Sequence, residues 1–265
     1  MGRAVIAALA DLVLPRTCAG CGIPGPMLCP GCAALLARPC TAAPRRVPWG
    51  FPPTAAAGAY AGRVRPVVIE FKERGRVELA APLGAALALA VAAVVSAVPG
   101  PRRSVALVPV PSSRAALRSR GRDHVRELAA RAVTELCAAG IPATEARLLA
   151  RRGRVRDSAG LSTAQRRANL AGSFARAAGA IAPPGALLVL VDDVVTTGAT
   201  LTEAAAALAS GLPPGSPPLL AAVVATTPRT PPDGPSRPDL QVVRQRVQIV
   251  RRGPLDRLSG QVNRD

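Results

Sequence analysis

Short apolar runs alternate with longer stretches of helical spacing over most of the chain, between residues 59 and 211. Strands that alternate with helices in this way build a parallel sheet with helices packed against it. We therefore predict an α/β fold whose parallel sheet is flanked by helices. The expected strands cover 105–110, 187–191 and 219–225, and the expected helices cover 123–139 and 200–210.

The charge of the chain is large and uneven. The 34 Lys and Arg residues outnumber the 16 Asp and Glu residues, which gives a formal net charge of +18, and Lys72 is the only lysine. Residues 102–176 carry a net charge of +11, whereas residues 177–226 carry −3. This arrangement suits a polyanionic small molecule at least as well as DNA. Aromatic residues make up 2% of the chain, which disfavours stacking platforms for single strands.

Residues 79–101 form an apolar stretch without a charge, and it has two interpretations. The stretch is long enough to cross a membrane, but it is rich in alanine and contains Pro82, Gly84 and Ser96, which favours a buried helix of the α/β fold. The short apolar run at the N-terminus is interrupted by Asp11, which is typical of an amphipathic helix rather than of a signal peptide. We therefore expect a cytoplasmic protein with no membrane span.

Two Cys-x-x-Cys pairs near the N-terminus are separated by seven residues; they are Cys18, Cys21, Cys29 and Cys32. In a reducing compartment such pairs favour a tetrahedral zinc site over disulfides. Four thiolates fill the coordination sphere, so the zinc ion would be structural. Redox-active or merely packed cysteines are the alternative. Cys40 and Cys137 lie outside the pattern and are expected to be ordinary thiols.

The second chemical signal follows the apolar run at 187–191. Two acids precede a Thr/Gly loop that opens a helix, and backbone N–H groups at a helix start form a cradle for phosphate. Adjacent carboxylates accept hydrogen bonds from vicinal sugar hydroxyls, so the segment predicts a site for a 5-phosphorylated ribose. A metal site or a helix cap is the alternative for the acid pair. The residues concerned are Asp192, Asp193, Thr196, Thr197, Gly198 and Thr200.

This segment resembles the phosphoribosyl-pyrophosphate (PRPP) motif of type I phosphoribosyltransferases over its full length. The resemblance implies that Asp192 and Asp193 bind the ribose 2′ and 3′ hydroxyls. It implies that the 5′-phosphate is bound by the loop that carries Thr196, Thr197, Gly198 and Thr200. It also implies that Mg²⁺ binds together with PRPP.

Other segments narrow the resemblance to the ComF family, the phosphoribosyltransferase-like competence proteins. They span about residues 12–226 and comprise the four-cysteine module, Tyr60-Ala-Gly62, Lys72-Glu-Arg74-Gly75-Arg76, Val108-Pro109-Val110-Pro111, Gly160-Leu161-Ser162, Arg166-Arg167, Asn169-Leu170 and Phe174. The chain departs from the family pattern in two places. Gly121-Arg122-Asp123-His124 stands where the family often has Gly-Phe-Asn, and Ser158 stands where glutamine is frequent.

The resemblance also predicts where pyrophosphate binds. The loop after the strand at 105–110 is expected to hold it through Pro111, Ser112, Ser113 and Arg114, with a plain turn as the alternative. Residues 151–167 are similar to the flexible hood loop that closes over the substrate. Flexible-loop arginines are expected to neutralise the polyphosphate, with a solvated face as the alternative for each; they are Arg118, Arg120 and Arg166. Lys72 is expected to be a surface lysine and His124 a partly buried or capping residue.

The implied activity is transfer of phosphoribosyl from PRPP to an unknown nucleophilic acceptor, with release of pyrophosphate and a part in DNA uptake during competence. One alternative is a non-catalytic PRPP-sensing or single-stranded DNA-handling module of the competence machinery. Another is a salvage enzyme that makes a nucleotide from a free base. The expected organisation is an N-terminal helix, zinc module and Pro-rich linker over 1–53, a phosphoribosyltransferase-like domain over 54–226, and a basic disordered tail over 227–265.

Overall fold

The computed structural model describes residues 16–101, 103–152 and 172–228. The helices are α1 (Pro30–Ala34), α2 (Val64–Lys72), α3 (Ala80–Ser96), α4 (Arg114–Arg120), α5 (His124–Ala138) and α6 (Ala199–Ala209). The strands are β1 (Cys40–Thr41), β2 (Thr54–Ala59), β3 (Val105–Pro109), β4 (Ala143–Glu145), β5 (Leu149–Arg151), β6 (Phe174–Arg176), β7 (Leu187–Val195) and β8 (Leu220–Thr226). The predicted N-terminal helix, the loop around Arg166 and nearly all of the predicted tail lie outside the described ranges.

Six strands form one mostly parallel sheet in the order β1-β2-β8-β7-β3-β4. The neighbours from β2 to β4 all run parallel, and β1 pairs antiparallel with β2 at one edge. Strands β5 and β6 form a separate antiparallel pair. The predicted class, an α/β fold with a parallel sheet flanked by helices, is confirmed.

Both faces of this sheet are covered, which explains why β3 and β8 are buried along their whole length. One face packs against α2, α3 and α5, and the other packs against α6 and the β5–β6 pair. Small residues allow close packing in this core. At Gly84 in α3, a side chain would collide with Arg131 of α5, so the two helices approach each other closely at that point.

The apolar stretch predicted to be a buried helix forms α3 and the short 3₁₀ turn before it, Val77–Leu79. Among the described residues, Val77–Ser96 is the one helix with the length and hydropathy needed to cross a membrane. More than half of this helix is buried inside the fold, where it packs against β2, β8 and α5. Its apolar composition is therefore accounted for by the core between the sheet and α5.

The connections that follow β3 and β7 leave the sheet in opposite directions. β3 continues through α4 and α5 to β4 on one side, whereas β7 continues through α6 to β8 on the other. These two strands are neighbours, with Leu107 opposite Val189. In open α/β sheets, ligands bind in the crevice that such a change of direction creates beyond the carboxyl ends of the strands. Both predicted phosphate loops begin at this crevice.

The segment that carries the four cysteines packs directly on the sheet. Ala19 and Leu36 belong to the same hydrophobic core as Val64 of α2. In β1, Thr41 lies opposite Ala55, so the predicted Pro-rich linker begins within an edge strand. The N-terminal module and the sheet therefore share one core.

Candidate functional site

The acid pair lies inside β7 rather than after it. The apolar run predicts that the strand ends near residue 191, but pairing with β8 continues to Val195, which lies opposite Thr226. Pairing is made by backbone groups, so it does not stop where the apolar side chains stop. Because successive side chains of a strand alternate in direction, the two acids diverge. Asp193 contacts α2 and α5, whereas Asp192 lines the cleft formed with residues 194–201.

The loop after β7 enters α6 at Gly198. This residue is the N-cap of α6 and has a φ of 76°, a conformation that favours glycine. A Cβ at this position would lie 2.8 Å from Cε2 of Phe51 and 3.0 Å from Cγ of Pro44. Gly198 is therefore required both by the backbone turn and by the close packing of buried Phe51 on the loop.

The N-terminus of α6 is open to an anion. Gly198 supplies no side-chain cap, and the first turn of α6 contains no acidic residue, so the positive end of the helix is not neutralised by the helix itself. Thr197 Oγ1 accepts a hydrogen bond from the Ala199 N–H at 3.4 Å. Thr196 is exposed and Thr200 is half-buried. The threonine hydroxyls and backbone N–H groups of this loop line a small cleft of about 30 Å³, and such donors suit a phosphate group.

The second predicted phosphate loop follows β3 and lies beside the first. The Val110 N–H donates to the Val191 carbonyl at 3.0 Å, which joins the two strand ends where the loops begin. Ser113 caps α4, because its hydroxyl accepts the Ala116 N–H at 3.1 Å. The four residues predicted to hold pyrophosphate are thus at the same edge of the sheet as the Thr/Gly loop; they are Pro111, Ser112, Ser113 and Arg114.

The arginines of α4 differ in their availability. The side chains of Arg114 and Arg118 are exposed and make no hydrogen bond or ion pair within the described part of the chain. Arg120 is half-buried, with its Nη1 2.9 Å from Nδ1 of His124 and its Nε 3.5 Å from Oε2 of Glu73. Arg118 is therefore free to meet a ligand, whereas Arg120 is held by protein groups. Arg166 lies outside the described residues.

Arg151, the last residue of β5, reaches the same crevice from another element. Its Nη1 donates to the Pro111 carbonyl at 3.3 Å, and its guanidinium lies 5.0 Å from the centre of the Phe174 ring. Its Nε is buried and has no hydrogen-bond partner among the described residues. Burial lowers the pKa of Arg151, an effect that attraction to Asp192 opposes, and the guanidinium stays charged. A permanent positive charge therefore lies near Asp192 and the second loop.

The only lysine and the only histidine of the chain meet at Asp193. Lys72 Nζ lies 2.8 Å from Oδ2 of Asp193, and His124 Nε2 lies 3.1 Å from the same oxygen. Asp193 and His124 are buried, with 4% and 3% of their surfaces exposed. Lys72 ends α2 and His124 begins α5, so three separate elements meet at one carboxylate. Lys72, expected on the surface, is a partly buried ion-pair partner, and His124 is buried.

His124 is held in one tautomer. Because an arginine can only donate hydrogen bonds, Nδ1 of His124 accepts from Arg120. Nε2 therefore carries the hydrogen and donates a hydrogen bond to Oδ2 of Asp193. The imidazole thus joins Arg120 of α4 to Asp193 of β7 through one hydrogen bond at each ring nitrogen.

The residues just before His124, which depart from the family pattern, have local structural roles. Asp123 caps α5 by accepting the Arg126 N–H at 3.4 Å. The guanidinium of Arg122 lies 4.3 Å from the centre of the Phe71 ring, and it donates to the Phe71 carbonyl and to Glu127. Arg122 therefore joins the end of α2 to the start of α5, where Lys72 and His124 lie close together.

The two acids have opposite electrostatic environments. Burial opposes the ionisation of Asp193, but the hydrogen bond from His124 and the charge of Lys72 hold its pKa well below the usual range. Burial and the neighbouring Asp193 carboxylate raise the pKa of Asp192 to about 8. Burial also acts on Lys72, but attraction to both acids outweighs it and raises the pKa of Lys72. Asp193 is therefore the acid that carries the charge in the free protein.

The crevice beyond β3 and β7 thus combines two phosphate-type loops, an acid pair and several positive side chains. No protein-family model and no curated protein matches this chain. A larger cavity, about 180 Å³, lies at the other end of β7, where residues within 182–188 and 212–217 line it without any titratable side chain. Within the described ranges, the chemistry is concentrated at the carboxyl edge of the sheet and in the cysteine cluster.

The four cysteines form a cluster that fits a metal ion. All four Sγ atoms lie within 4.8 Å of one another, and those of Cys21 and Cys29 are 3.7 Å apart. A tetrahedral zinc ion with bonds of about 2.3 Å sets its sulfur ligands about 3.8 Å apart. The predicted grouping of Cys18, Cys21, Cys29 and Cys32 is therefore confirmed, and zinc as its ion stays a prediction.

Backbone donors prepare this cluster for a metal. The N–H groups of Gly20 and Cys29 point to Sγ of Cys18 at 3.4 and 3.3 Å. Burial by itself would raise the pKa of the Cys18 thiol, but these donors bring it to about 6. A Cβ at Gly20 would lie 2.7 Å from Sγ of Cys32, so glycine is needed for this approach. The N–H groups of Gly20 and Cys29 therefore favour the thiolate form of Cys18, which is the form that binds a metal.

Four site residues were missed or undervalued by sequence reasoning. Arg151 was assigned to the start of the flexible hood loop, but it ends β5 and contacts the Pro111 loop. Lys72 and His124 carried a signal, since each is the only residue of its type in the chain. Phe51 carried no signal, because its contact with Gly198 exists only when residues 44–51 return to the carboxyl edge of the sheet.

Proposed function

We propose that the protein binds PRPP and transfers its phosphoribosyl group to a nitrogen nucleophile, as a type I phosphoribosyltransferase-like member of the ComF family. One observation carries this proposal. The acid pair of β7 and the open start of α6 lie beside the Pro111 loop at the point where the sheet connections change direction. A ligand with a ribose between two phosphate groups matches this order of acids and anion-binding loops.

Each part of PRPP has a partner in the crevice. The 5′-phosphate binds at the start of α6, to the N–H groups and hydroxyls of residues 196–200. Asp192 on the cleft wall accepts hydrogen bonds from the ribose hydroxyls, and Asp193 is the second acid of the motif. Pyrophosphate lies towards residues 111–114, where Arg118 and Arg151 neutralise it. Mg²⁺ bound with PRPP supplies further positive charge to the pyrophosphate.

The transfer needs little covalent help from the protein. The bond between ribose C1 and the pyrophosphate oxygen breaks, and the oxygen keeps the electron pair. A bond between C1 and the acceptor nitrogen forms, and the nitrogen then loses its proton to solvent. The transition state resembles an oxocarbenium ion, as in glycoside hydrolysis. Catalysis therefore rests on positioning and on stabilisation of the leaving group by the positive side chains.

The cysteine cluster has a structural part in this proposal. A zinc ion held by four thiolates has no open position for a substrate, so it stabilises the N-terminal module against the sheet. The resemblance to the ComF family supports a role in DNA uptake during competence. It also supports a cytoplasmic location, where the cysteines stay reduced.

Ligand-dependent stability tests the proposal. PRPP with Mg²⁺ at about 100 times its Kd should raise the free energy of unfolding by about 2.7 kcal/mol, measured by thermal denaturation. The only tryptophan, Trp49, is 89% exposed and lies two residues from Phe51, so its fluorescence gives a second signal from the loop. Release of pyrophosphate with a panel of free bases then tests turnover.

A matched pair of threonine variants separates binding from folding. Thr197→Val removes a phosphate donor and should weaken PRPP binding at least about tenfold. Thr134→Val, on the exposed face of α5, should leave the affinity unchanged. No PRPP-dependent change in the stability or fluorescence of the wild type would contradict the proposal.

A non-catalytic role in handling single-stranded DNA is the second candidate, favoured by the exposed Arg114 and Arg118 on α4. DNA binding through phosphates should weaken steeply as salt rises, whereas PRPP binding should require Mg²⁺ and persist at moderate salt. Arg118→Gln discriminates between the two roles. Loss of DNA binding with unchanged PRPP affinity would favour the DNA-handling role.

A further inference from the structure

The carboxylate of Asp193 is almost fully occupied by protein groups. Its Oδ1 accepts the Val194 N–H at 2.7 Å, and its Oδ2 accepts from Lys72 at 2.8 Å and from His124 at 3.1 Å. A carboxylate has about four acceptor positions, so three are already taken. With 4% of its surface exposed, Asp193 has little means to contact a ligand.

Asp192 is in the contrasting position. Its Oδ1 accepts the Asp193 N–H at 2.8 Å, and its other oxygen has no hydrogen bond to any described residue. It lines the cleft together with the Thr/Gly loop. The adjacent acids therefore have different surroundings, although they are identical in the sequence.

We infer that Lys72 and His124 are positioning residues of the PRPP site, which hold Asp193 as a buried anionic anchor and leave Asp192 as the carboxylate that binds the ribose hydroxyls. The inference rests on the proposed function and refines it, because the motif alone assigns equal ligand roles to both acids. Without Lys72 and His124, two adjacent carboxylates would compete for ionisation. With them, the charge is localised on Asp193, and Asp192 is free to respond to the ligand.

The geometry explains why this position holds a lysine in a chain whose other basic residues are arginine. A guanidinium binds a carboxylate best through two parallel hydrogen bonds to both oxygens. At Asp193, Oδ1 is taken by the Val194 N–H, and Oδ2 must also accept from His124. An ammonium group is a compact charge that can share one oxygen, so Lys72 fits where an arginine would displace His124.

The charged groups around Asp193 show how removal of Lys72 would change the electrostatic environment of the acid pair. Lys72 is the one cation in the described part of the chain that contacts Asp193, since Arg120 acts through His124 and is itself paired with Glu73. Five elements bring charged or titratable groups to the pair: Lys72 and Glu73 at the end of α2, Arg120 on α4, His124 on α5, Arg151 on β5 and Asp192 on β7. Loss of Lys72 therefore leaves the acid pair without its contacting cation.

Four variants test the inference through PRPP affinity measured between pH 6 and 9.5. Lys72→Met and His124→Leu should each weaken PRPP binding by about tenfold and move the pH midpoint of affinity upward by about one unit. His124→Gln should restore most of the affinity, because the amide can donate to Oδ2. Arg74→Met is the charge-matched control, since Arg74 is exposed, lies just beyond the end of α2 and pairs with Glu70 of that helix.

A ligand-free measurement guards against loss of binding by misfolding. In protein labelled with ¹³C at the Asp carboxyl groups, Asp193 should stay ionised to low pH while Asp192 titrates far above it, with signals assigned by Asp192→Asn and Asp193→Asn. The two titrations should move closer together in Lys72→Met. PRPP binding and carboxyl titrations that match Arg74→Met would overturn the inference alone. Failure of the wild type to bind PRPP would overturn the proposed function, and the inference with it.

Discussion

The cysteine cluster and the Asp193 cluster hold buried polar groups in different ways. The four cysteines come from one segment of 15 residues, and their sulfurs surround a space that suits a metal ion. The partners of Asp193 come from α2 and α5, and they already contact its carboxylate. The cysteine cluster can therefore hold an ion from solution, whereas the Asp193 cluster is completed by the fold itself.

The two clusters therefore depend on different parts of the molecule. The sulfur positions follow from local turns, so the thiols come together even in a small module, and a metal ion would offset the charge of four thiolates. The Asp193 cluster needs no ion, but it exists only when helices and sheet are assembled. Loss of a metal ion should therefore affect the cysteine cluster, whereas loss of one charged side chain should affect the Asp193 cluster.

The largest effect is expected from loss of the metal. Cys18→Ser/Cys29→Ser should reduce bound zinc from about one equivalent to none. Structural zinc contributes about 10–16 kcal/mol in small zinc-binding peptides, and here Ala19 and Leu36 extend its influence to the main core. We therefore expect a large fall in melting temperature for the whole chain. Cys137→Ser, an exposed thiol outside the cluster, is the control, and full zinc content in the double variant would contradict the assignment.

The next effect distinguishes the two acids. Asp193→Asn leaves Lys72 and His124 without their anionic partner and should lower the free energy of unfolding by about 2–4 kcal/mol. Asp192→Asn removes a group that Asp193 repels, so stability should change little or increase. Urea denaturation of both variants at pH 8 measures the difference. Equal losses of stability would show that the two acids share one structural role.

A smaller effect is expected at Gly198, where the loop meets Phe51. Gly198→Ala imposes a side chain at positive φ and close to the Phe51 ring, and it should cost about 1–3 kcal/mol and weaken PRPP binding. Gly179→Ala is a matched control, because Gly179 has a φ of 70° but a Cβ added there would meet no atom within 4 Å. If the two variants lose equal stability, the packing of Phe51 on the loop has no energetic weight.

The smallest effect, taken over a single pH unit, is the pH dependence contributed by Asp192. Its raised pKa, about 8, means that the folded protein holds a proton there that the unfolded chain releases at about pH 4. The contribution of Asp192 to stability should therefore decline as pH rises from about 4 to 8, with a slope below 1.4 kcal/mol per pH unit for about one proton. Asp193, with its lowered pKa, acts in the opposite sense and loses stability only as pH falls below about 4.

Comparison of wild type with Asp192→Asn isolates this slope, since all other titrating groups are shared. Denaturant unfolding at pH 5, 6, 7 and 8 provides the data. A wild-type stability that varies with pH in the same way as that of the variant would contradict the raised pKa of Asp192.

Much of the fold was predictable because it is encoded by short-range patterns. The strands at 105–110, 187–191 and 219–225 correspond to β3, β7 and β8 within a few residues, and the apolar stretch at 79–101 contains the buried α3. The extension of β7 through Asp192 and Asp193 was not predictable from hydropathy, because it depends on backbone pairing with β8. That extension turns the two acids in different directions.

The four-cysteine cluster and the loop residues around Gly198 were predictable because each depends on spacing within one segment. The α/β class was predictable from the alternation of strand-like and helical runs along the chain. Three contacts appear only in the folded chain: Lys72 and His124 meet at Asp193, Arg151 approaches Asp192, and Phe51 packs on Gly198. These contacts join residues far apart in the chain, and no local pattern encodes them. They arise because parallel strands bring the ends of separate helices and loops to one edge of the sheet, where burial makes every unpaired charge costly.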